Sequence, residues 1–227
     1  MRAVQRLPVC AACLAAVPEL ALPGCRQCGK ALAAAEVLTD GRCLNCIADP
    51  PDYDGVVCAA GYHGVARELI LLLKFGRVRP IAGYWSGRLA ALAGQLEAAP
   101  DLVAAVPLGR RRQRERGFNQ SADIARGLAR RRGLRYEAHA LRRRRDTVPQ
   151  SELPLALRTR NLAGAFAADP RHVRGRCVLL VDDVLTTGAT ARAAASALHR
   201  SGAKRVLLAV AARADLSFER AKAEAAA

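Results

Sequence analysis

The chain is 227 residues long, 52% hydrophobic but only 4% aromatic, and carries a formal net charge of +16. This composition excludes general disorder, calls for an aliphatic core of Leu, Val, Ile and Ala, and leaves room for one α/β domain with a small appendage. No apolar run approaches the about 20 residues that cross a bilayer, and the first ten residues lack a signal-type apolar segment, so a cytoplasmic location without membrane insertion is expected.

The basic charge suits polyanionic partners, either nucleic acid or a substrate with several phosphates. It is nearly all arginine and clusters at residues 110–112, 130–132 and 142–145. The middle cluster reads as a solvated face.

Six of the eight cysteines form three C-x-x-C pairs: Cys10/Cys13, Cys25/Cys28 and Cys43/Cys46. In a reducing compartment this spacing points to metal rather than to disulfides. Cys25, Cys28, Cys43 and Cys46 make the preferred tetrahedral zinc set, with Gly29 giving the turn that folds Cys28 back on the metal. Cys10 and Cys13 stand as the alternative pair, replacing one of the other two. Four thiolates leave no open position, so the zinc is expected to be structural. A module with few large apolar side chains needs such a staple to fold. Cys58 and Cys177 lie among apolar residues and read as core.

Pro50 and Pro51 mark a boundary, giving a zinc module at 1–50, a main domain at 51–215 and a charged, Ala-rich tail at 216–227. Residues 56–60 read as a short strand. Residues 65–75 read as a helix with Leu69, Leu72 and Leu73 on one face, and residues 83–96 as a second helix. Residues 101–106 form a buried strand ending at Pro107. A basic, glycine-punctuated loop follows, residues 109–121, and makes an anion site ahead of a helix that Ser121 caps and that runs to Arg132, with Ile124 and Leu128 inward. Residues 142–161 read as a long polar excursion. Residues 205–211 form another buried strand, and strands alternating with helices imply a parallel, doubly wound sheet.

Residues 178–190 carry the most information. The apolar run Val178-Leu179-Leu180-Val181 predicts a strand buried on both faces, ending in Asp182 and Asp183. The loop Thr186-Thr187-Gly188-Ala189-Thr190 leads into an Ala-rich helix over 189–199. A helix start offers open N–H groups to a phosphate, and Gly188 lets the backbone come close. Threonine hydroxyls donate to phosphate oxygens, and paired aspartates accept from two vicinal ribose hydroxyls. Ligands of such sheets bind at the carboxyl ends of strands, where Pro107 and Asp182 both fall.

This segment resembles the phosphoribosyl pyrophosphate (PRPP) motif of type I phosphoribosyltransferases. Arg116-Gly117-Phe118-Asn119-Gln120, the run 145–150 through Gln150, Arg158 further on, the paired cysteines and the segment Leu72-Leu73-Lys74-Phe75 together resemble the ComF family, over nearly the whole chain. The resemblance implies a type I phosphoribosyltransferase-like α/β fold, a parallel sheet flanked by helices, with a small N-terminal four-cysteine zinc module. It implies Asp182 and Asp183 on the ribose, with Thr186, Thr187, Gly188, Ala189 and Thr190 on the 5-phosphate. Arg116, Pro107, Asn119 and Gln120 would face pyrophosphate. Residues 147–158, including Gln150 and Arg158, would form a hood over the substrate. The implied reaction displaces pyrophosphate from C1 of PRPP through an oxocarbenium-like transition state, with Mg²⁺ bridging pyrophosphate and ribose hydroxyls. The acceptor is not legible in these residues. The implied setting is DNA uptake and natural transformation. A non-catalytic PRPP sensor, or a protein binding single-stranded DNA and a competence helicase, is the alternative.

Overall fold

The computed structural model describes residues 7–20, 24–32, 40–146, 162 and 164–214. Two one-turn helices, α1 (Ala11–Ala15) and α2 (Leu44–Ala48), lie in the N-terminal region. Beyond them come β1 (Gly55–Cys58), α3 (Gly64–Lys74), α4 (Ile81–Leu92), β2 (Leu102–Ala105), α5 (Arg110–Arg116), α6 (Gln120–Arg132) and β3 (Arg135–Tyr136). A small antiparallel ribbon, β4 (Leu141–Arg143) with β5 (Phe166–Ala168), precedes α7 (Pro170–Val173). The chain then runs through β6 (Cys177–Leu185), α8 (Ala189–Arg200) and β7 (Arg205–Arg213).

The main sheet is parallel throughout, in the order β1-β7-β6-β2-β3. Alternation along its central strands feeds two cores. Leu179 and Val181 point with Leu207 and Ala209 toward Leu69 and Leu73 of α3, Trp85 of α4 and Ile124 and Leu128 of α6. Val178 and Leu180 point the other way with Val206 and Leu208, against Ala191, Ala194, Ala195 and Leu198 of α8 and the Leu141–Phe166 ribbon. The small side chains of α8 let it lie close on the sheet. Cys58 and Cys177 are buried in these cores.

Several sequence expectations need correction. The expected strand does not end at the acidic pair: β6 continues to Leu185, with Asp182, Val184 and Leu185 still paired to β7. Residues 110–116 form a helix rather than a loop, stopped by Gly117 at φ 79°. Ser121 does not cap α6, because Asn119 does, accepting from the Ser121 and Ala122 amides. The helix expected at 83–96 starts at Ile81 and decays into a 3-10 turn after Leu92. Leu72 does not join Leu69 and Leu73 inside, since it is 44% exposed. Among the described residues no helix is long and apolar enough to cross a membrane.

Candidate active site

At the carboxyl ends of β2 and β6 opens a cleft of about 590 Å³. Pro107, Arg116, Gln120, Asp182, Asp183, Thr186 and Thr190, all singled out from the sequence, line it. Asp183 is almost fully buried and receives two side-chain partners. Lys74, the last residue of α3, places its Nζ 2.8 Å from Asp183 Oδ1, and Gln120 Nε2 donates to Asp183 Oδ2. Gln120 Oε1 in turn accepts from Arg116, whose guanidinium stacks 5.3 Å from the Phe75 ring. Arg116, Gln120, Asp183 and Lys74 thus form one continuous polar chain across the floor.

Asp182 is held differently. Its Oδ1 accepts from Ser121 Oγ and from the Asp183 amide, each at 2.9 Å. Burial, then the charge of Asp183, pushes its carboxyl up to about 7, against the pull of the Asp183 amide, Ser121 and Lys74. Burial draws Arg116 below its ordinary value, opposed by the charge of Asp183. Arg111, Arg112, Arg143 and Asp146 also line the cleft with the aspartate pair. A cavity with this much positive charge around two carboxylates suits a ligand that is both polyanion and polyol.

Gly188 stands at φ 80° as the N-cap residue of α8 and, having no side chain, cannot cap it. Among the first-turn amides of the helix only that of Ala189 has a side-chain acceptor in the described residues, and a helix start of this kind suits a phosphate. Thr187 Oγ1 accepts from the Ala189 amide at 3.4 Å, and Ala189 is buried as the first helical residue. Asn119 has two local duties: besides capping α6, its Nδ2 donates to Val106 O at 3.0 Å, fixing the strand end next to Pro107. Gln150 and Arg158 lie outside the described residues, as does the expected hood.

Lys74, which lines the cleft, and Ser121, which bonds Asp182 from beneath it, escaped the sequence reading of the site. Lys74 continues the buried stripe Ala66–Ile70 of α3 at i+4 spacing. A cation on an apolar stripe is a signal for a buried partner. Ser121 reads as a cap because of its residue type, and only the packing of α6 against β6 brings its Oγ to Asp182 Oδ1.

Away from the cleft, the Sγ atoms of Cys25, Cys28, Cys43 and Cys46 all lie within 4.8 Å of one another. Cys28 Sγ and Cys43 Sγ are 3.8 Å apart. That separation matches the roughly 3.8 Å edge of a tetrahedron with Zn–S arms of about 2.3 Å. The Cys43 amide donates to Cys25 Sγ at 3.3 Å. The donor set therefore fits a tetrahedral ion. Cys10 and Cys13 are exposed on and beside α1 and do not belong to this group.

The Phosphoribosyl transferase domain family matches residues 116–224. The chain is 39% identical over 189 residues to the DNA utilization protein YhgH of Escherichia coli K12, covering 80% of each. It is 30% identical over 192 residues to Competence protein F of Haemophilus influenzae, covering 81% of this chain and 82% of that one. A solved structure, the glutamine PRPP amidotransferase from B. subtilis complexed with ADP and GMP, aligns at 25% identity with a TM-score of 0.41. That alignment covers 57% of this chain and 26% of the amidotransferase.

Proposed function

The chain belongs to the family of DNA utilization protein YhgH and Competence protein F, and from that premise we propose that its cleft binds PRPP and transfers the phosphoribosyl group with release of pyrophosphate. The observation that carries this reading is the placement of Asp182 and Asp183 on the central strand, ahead of the glycine-led start of α8. Asp182 and Asp183 accept from the ribose hydroxyls. Thr186, Thr190 and the amides around Gly188 take the 5-phosphate. Lys74 and Arg116, the cations that line the cleft beside Asp183, would stabilise the charge that grows on the departing pyrophosphate. Mg²⁺ entering with the substrate would supply further neutralisation of the leaving pyrophosphate beside Asp182 and Asp183. Arg158 and Gln150 belong to the segment assigned to closure over the substrate, which excludes water from the reacting carbon.

The four-thiol cluster holds Zn²⁺ as a structural ion. We assign 1–50 to this module, 51–215 to the transferase-like domain and 216–227 to a tail, and place the protein in the cytoplasm, consistent with its free thiols. A second reading, a PRPP sensor or single-stranded-DNA and helicase partner in competence, draws on the names of the relatives and on the net charge of +16.

Calorimetric titration of zinc-loaded protein with PRPP, with and without Mg²⁺, tests the first reading. Micromolar, Mg²⁺-dependent binding that Asp183→Asn abolishes is the expected result. Absence of binding at millimolar PRPP overturns it.

A further inference from the structure

Arg213, at the end of β7, lies between the four-thiol cluster and the loop that opens α8. Its backbone is fixed on both sides: its amide donates to Ala60 O at 2.9 Å, its carbonyl accepts from Tyr62 at 2.7 Å, and it pairs with Leu185 in the sheet. From this anchor the side chain runs past the cysteine turn. Gly29, at φ 68°, is so close to the sheet that a Cβ there would stand 2.7 Å from Cys58 Sγ and 3.5 Å from Arg213 Cδ. At the far end, Arg213 Nη1 reaches Thr186 O at 3.4 Å. Its Nε is buried without a hydrogen-bond partner among the described residues.

Two further ties run the same way. Tyr53 is buried, accepts at its carbonyl from Gln27 of the cysteine turn at 3.4 Å, and brings its hydroxyl to 3.5 Å from where a Gly188 Cβ would be. Arg192 of α8 donates to Asp49 O at 2.7 Å and Pro50 O at 3.0 Å, just beyond Cys46.

We infer that Arg213 is a positioning residue through which metal at the four-thiol cluster orders the phosphate loop, so that metal and phosphate ligand each strengthen the binding of the other. Four thiolates on a divalent ion would form a dianionic centre, and Arg213 is a cation whose side chain packs against the turn that carries Cys28. Drawn to that centre, the guanidinium fixes the Thr186 carbonyl and with it the approach to Gly188. Without the ion the charge that holds the guanidinium is gone, and the loop loses one of its supports. Coupling between sites is reciprocal by thermodynamic necessity.

The ligand half of this inference rests on the PRPP reading, whereas the loop half does not, and the experiment separates them. Amide hydrogen exchange of the peptide spanning residues 186–190 is measured in zinc-loaded and zinc-stripped protein, with residues 178–181 as a control for global unfolding. Stripping zinc should speed exchange in the loop by at least about fivefold while the control stays protected. Zinc-loaded Arg213→Met should show fast loop exchange at full zinc occupancy. The milder Arg213→Lys supplies the comparison should the methionine variant not fold. Loop exchange indifferent to zinc, or unchanged in both variants, overturns the inference whether or not PRPP binds. In wild type that binds PRPP by calorimetry, PRPP should also slow zinc loss to a chelating dye by about fivefold or more. Equal rates there refute the reciprocal coupling, while a lack of PRPP binding refutes only the PRPP reading.

Discussion

Asp183 and Lys74 are 7% and 18% exposed at their side chains, and each is the other's principal charge partner. Removing one member of such a pair strands the other in a poorly solvated site. Lys74→Met is expected to lose about 3 kcal/mol in urea unfolding at pH 8. Adding Asp183→Asn should recover most of that loss, because the stranded charge is then gone. A Lys74→Met protein as stable as wild type would show that water reaches Asp183 freely. Asp182 gives a pH signature. Its carboxyl is raised from 3.8 to about 7. Between these values the folded protein keeps a proton that the unfolded chain releases, so this group's contribution to stability falls as pH rises through the window. Asp182→Asn keeps an acceptor for Ser121 but carries no charge. It should therefore be more stable than wild type at pH 8 by roughly 1–3 kcal/mol, with the gain closing toward pH 4. Thermal melts across that range check the sign, and a gain that grew on acidification would contradict it.

The pairing of α4 with α6 shows how closely the elements are fitted. Gly127 of α6 faces Ser86 of α4, and a Cβ on Gly127 would stand 2.5 Å from Ser86 Oγ. Gly127→Ala should therefore destabilise by about 1–3 kcal/mol through overpacking, although alanine gains roughly 1 kcal/mol in helix propensity. Denaturant midpoints of Gly127→Ala alone and with Ser86→Gly separate the two effects, since only removal of both Ser86 Oγ and the Cβ that would stand at 2.8 Å relieves the overlap, and the double change should regain part of the stability. At the start of α6, Asn119→Ala removes the cap and the bond to Val106 O, for an expected loss of about 1–2 kcal/mol. Much of this layer was legible in the chain. The continuous apolar run of β6, the inward Ile124 and Leu128, and the glycine-led start of α8 follow from periodicity and residue type. What was not legible depends on neighbours. The extension of β6 past its aspartates is enforced by β7, and the helix at residues 110–116 looks like a basic loop because no apolar stripe marks it. The choice of Asn119 over Ser121 as cap was decided by the Val106 carbonyl. At the site, Asp182, Asp183 and the loop were readable as a motif. Lys74 was hidden because its partner lies 109 positions away in the chain (183 − 74).

At the scale of the molecule, the net charge of +16 greatly exceeds what one phosphate site needs. Arg110, Arg130, Arg132, Arg135, Arg142 and Arg144 are exposed and do not line the cleft. Arg135 is paired with Glu137 at 2.6 Å, and the other five are cations outside the cleft on which the single-stranded-DNA reading can be tested apart from PRPP binding. The aromatics near them are engaged: Phe118 is buried beneath Arg79, and Arg126 lies over Tyr136 at 5.6 Å. Bases of a bound strand would find little to stack on there, so phosphate contacts must dominate and sequence preference should be weak. Single-stranded DNA binding, followed by fluorescence anisotropy, should then weaken steeply with salt. A log–log slope near about −3 corresponds to roughly four neutralised phosphates. Neither saturating PRPP nor Asp183→Asn should change that slope, because neither touches the exposed arginines. Competition by PRPP would instead place the strand in the cleft, making the aspartate pair and the arginine surface parts of a single nucleic-acid site.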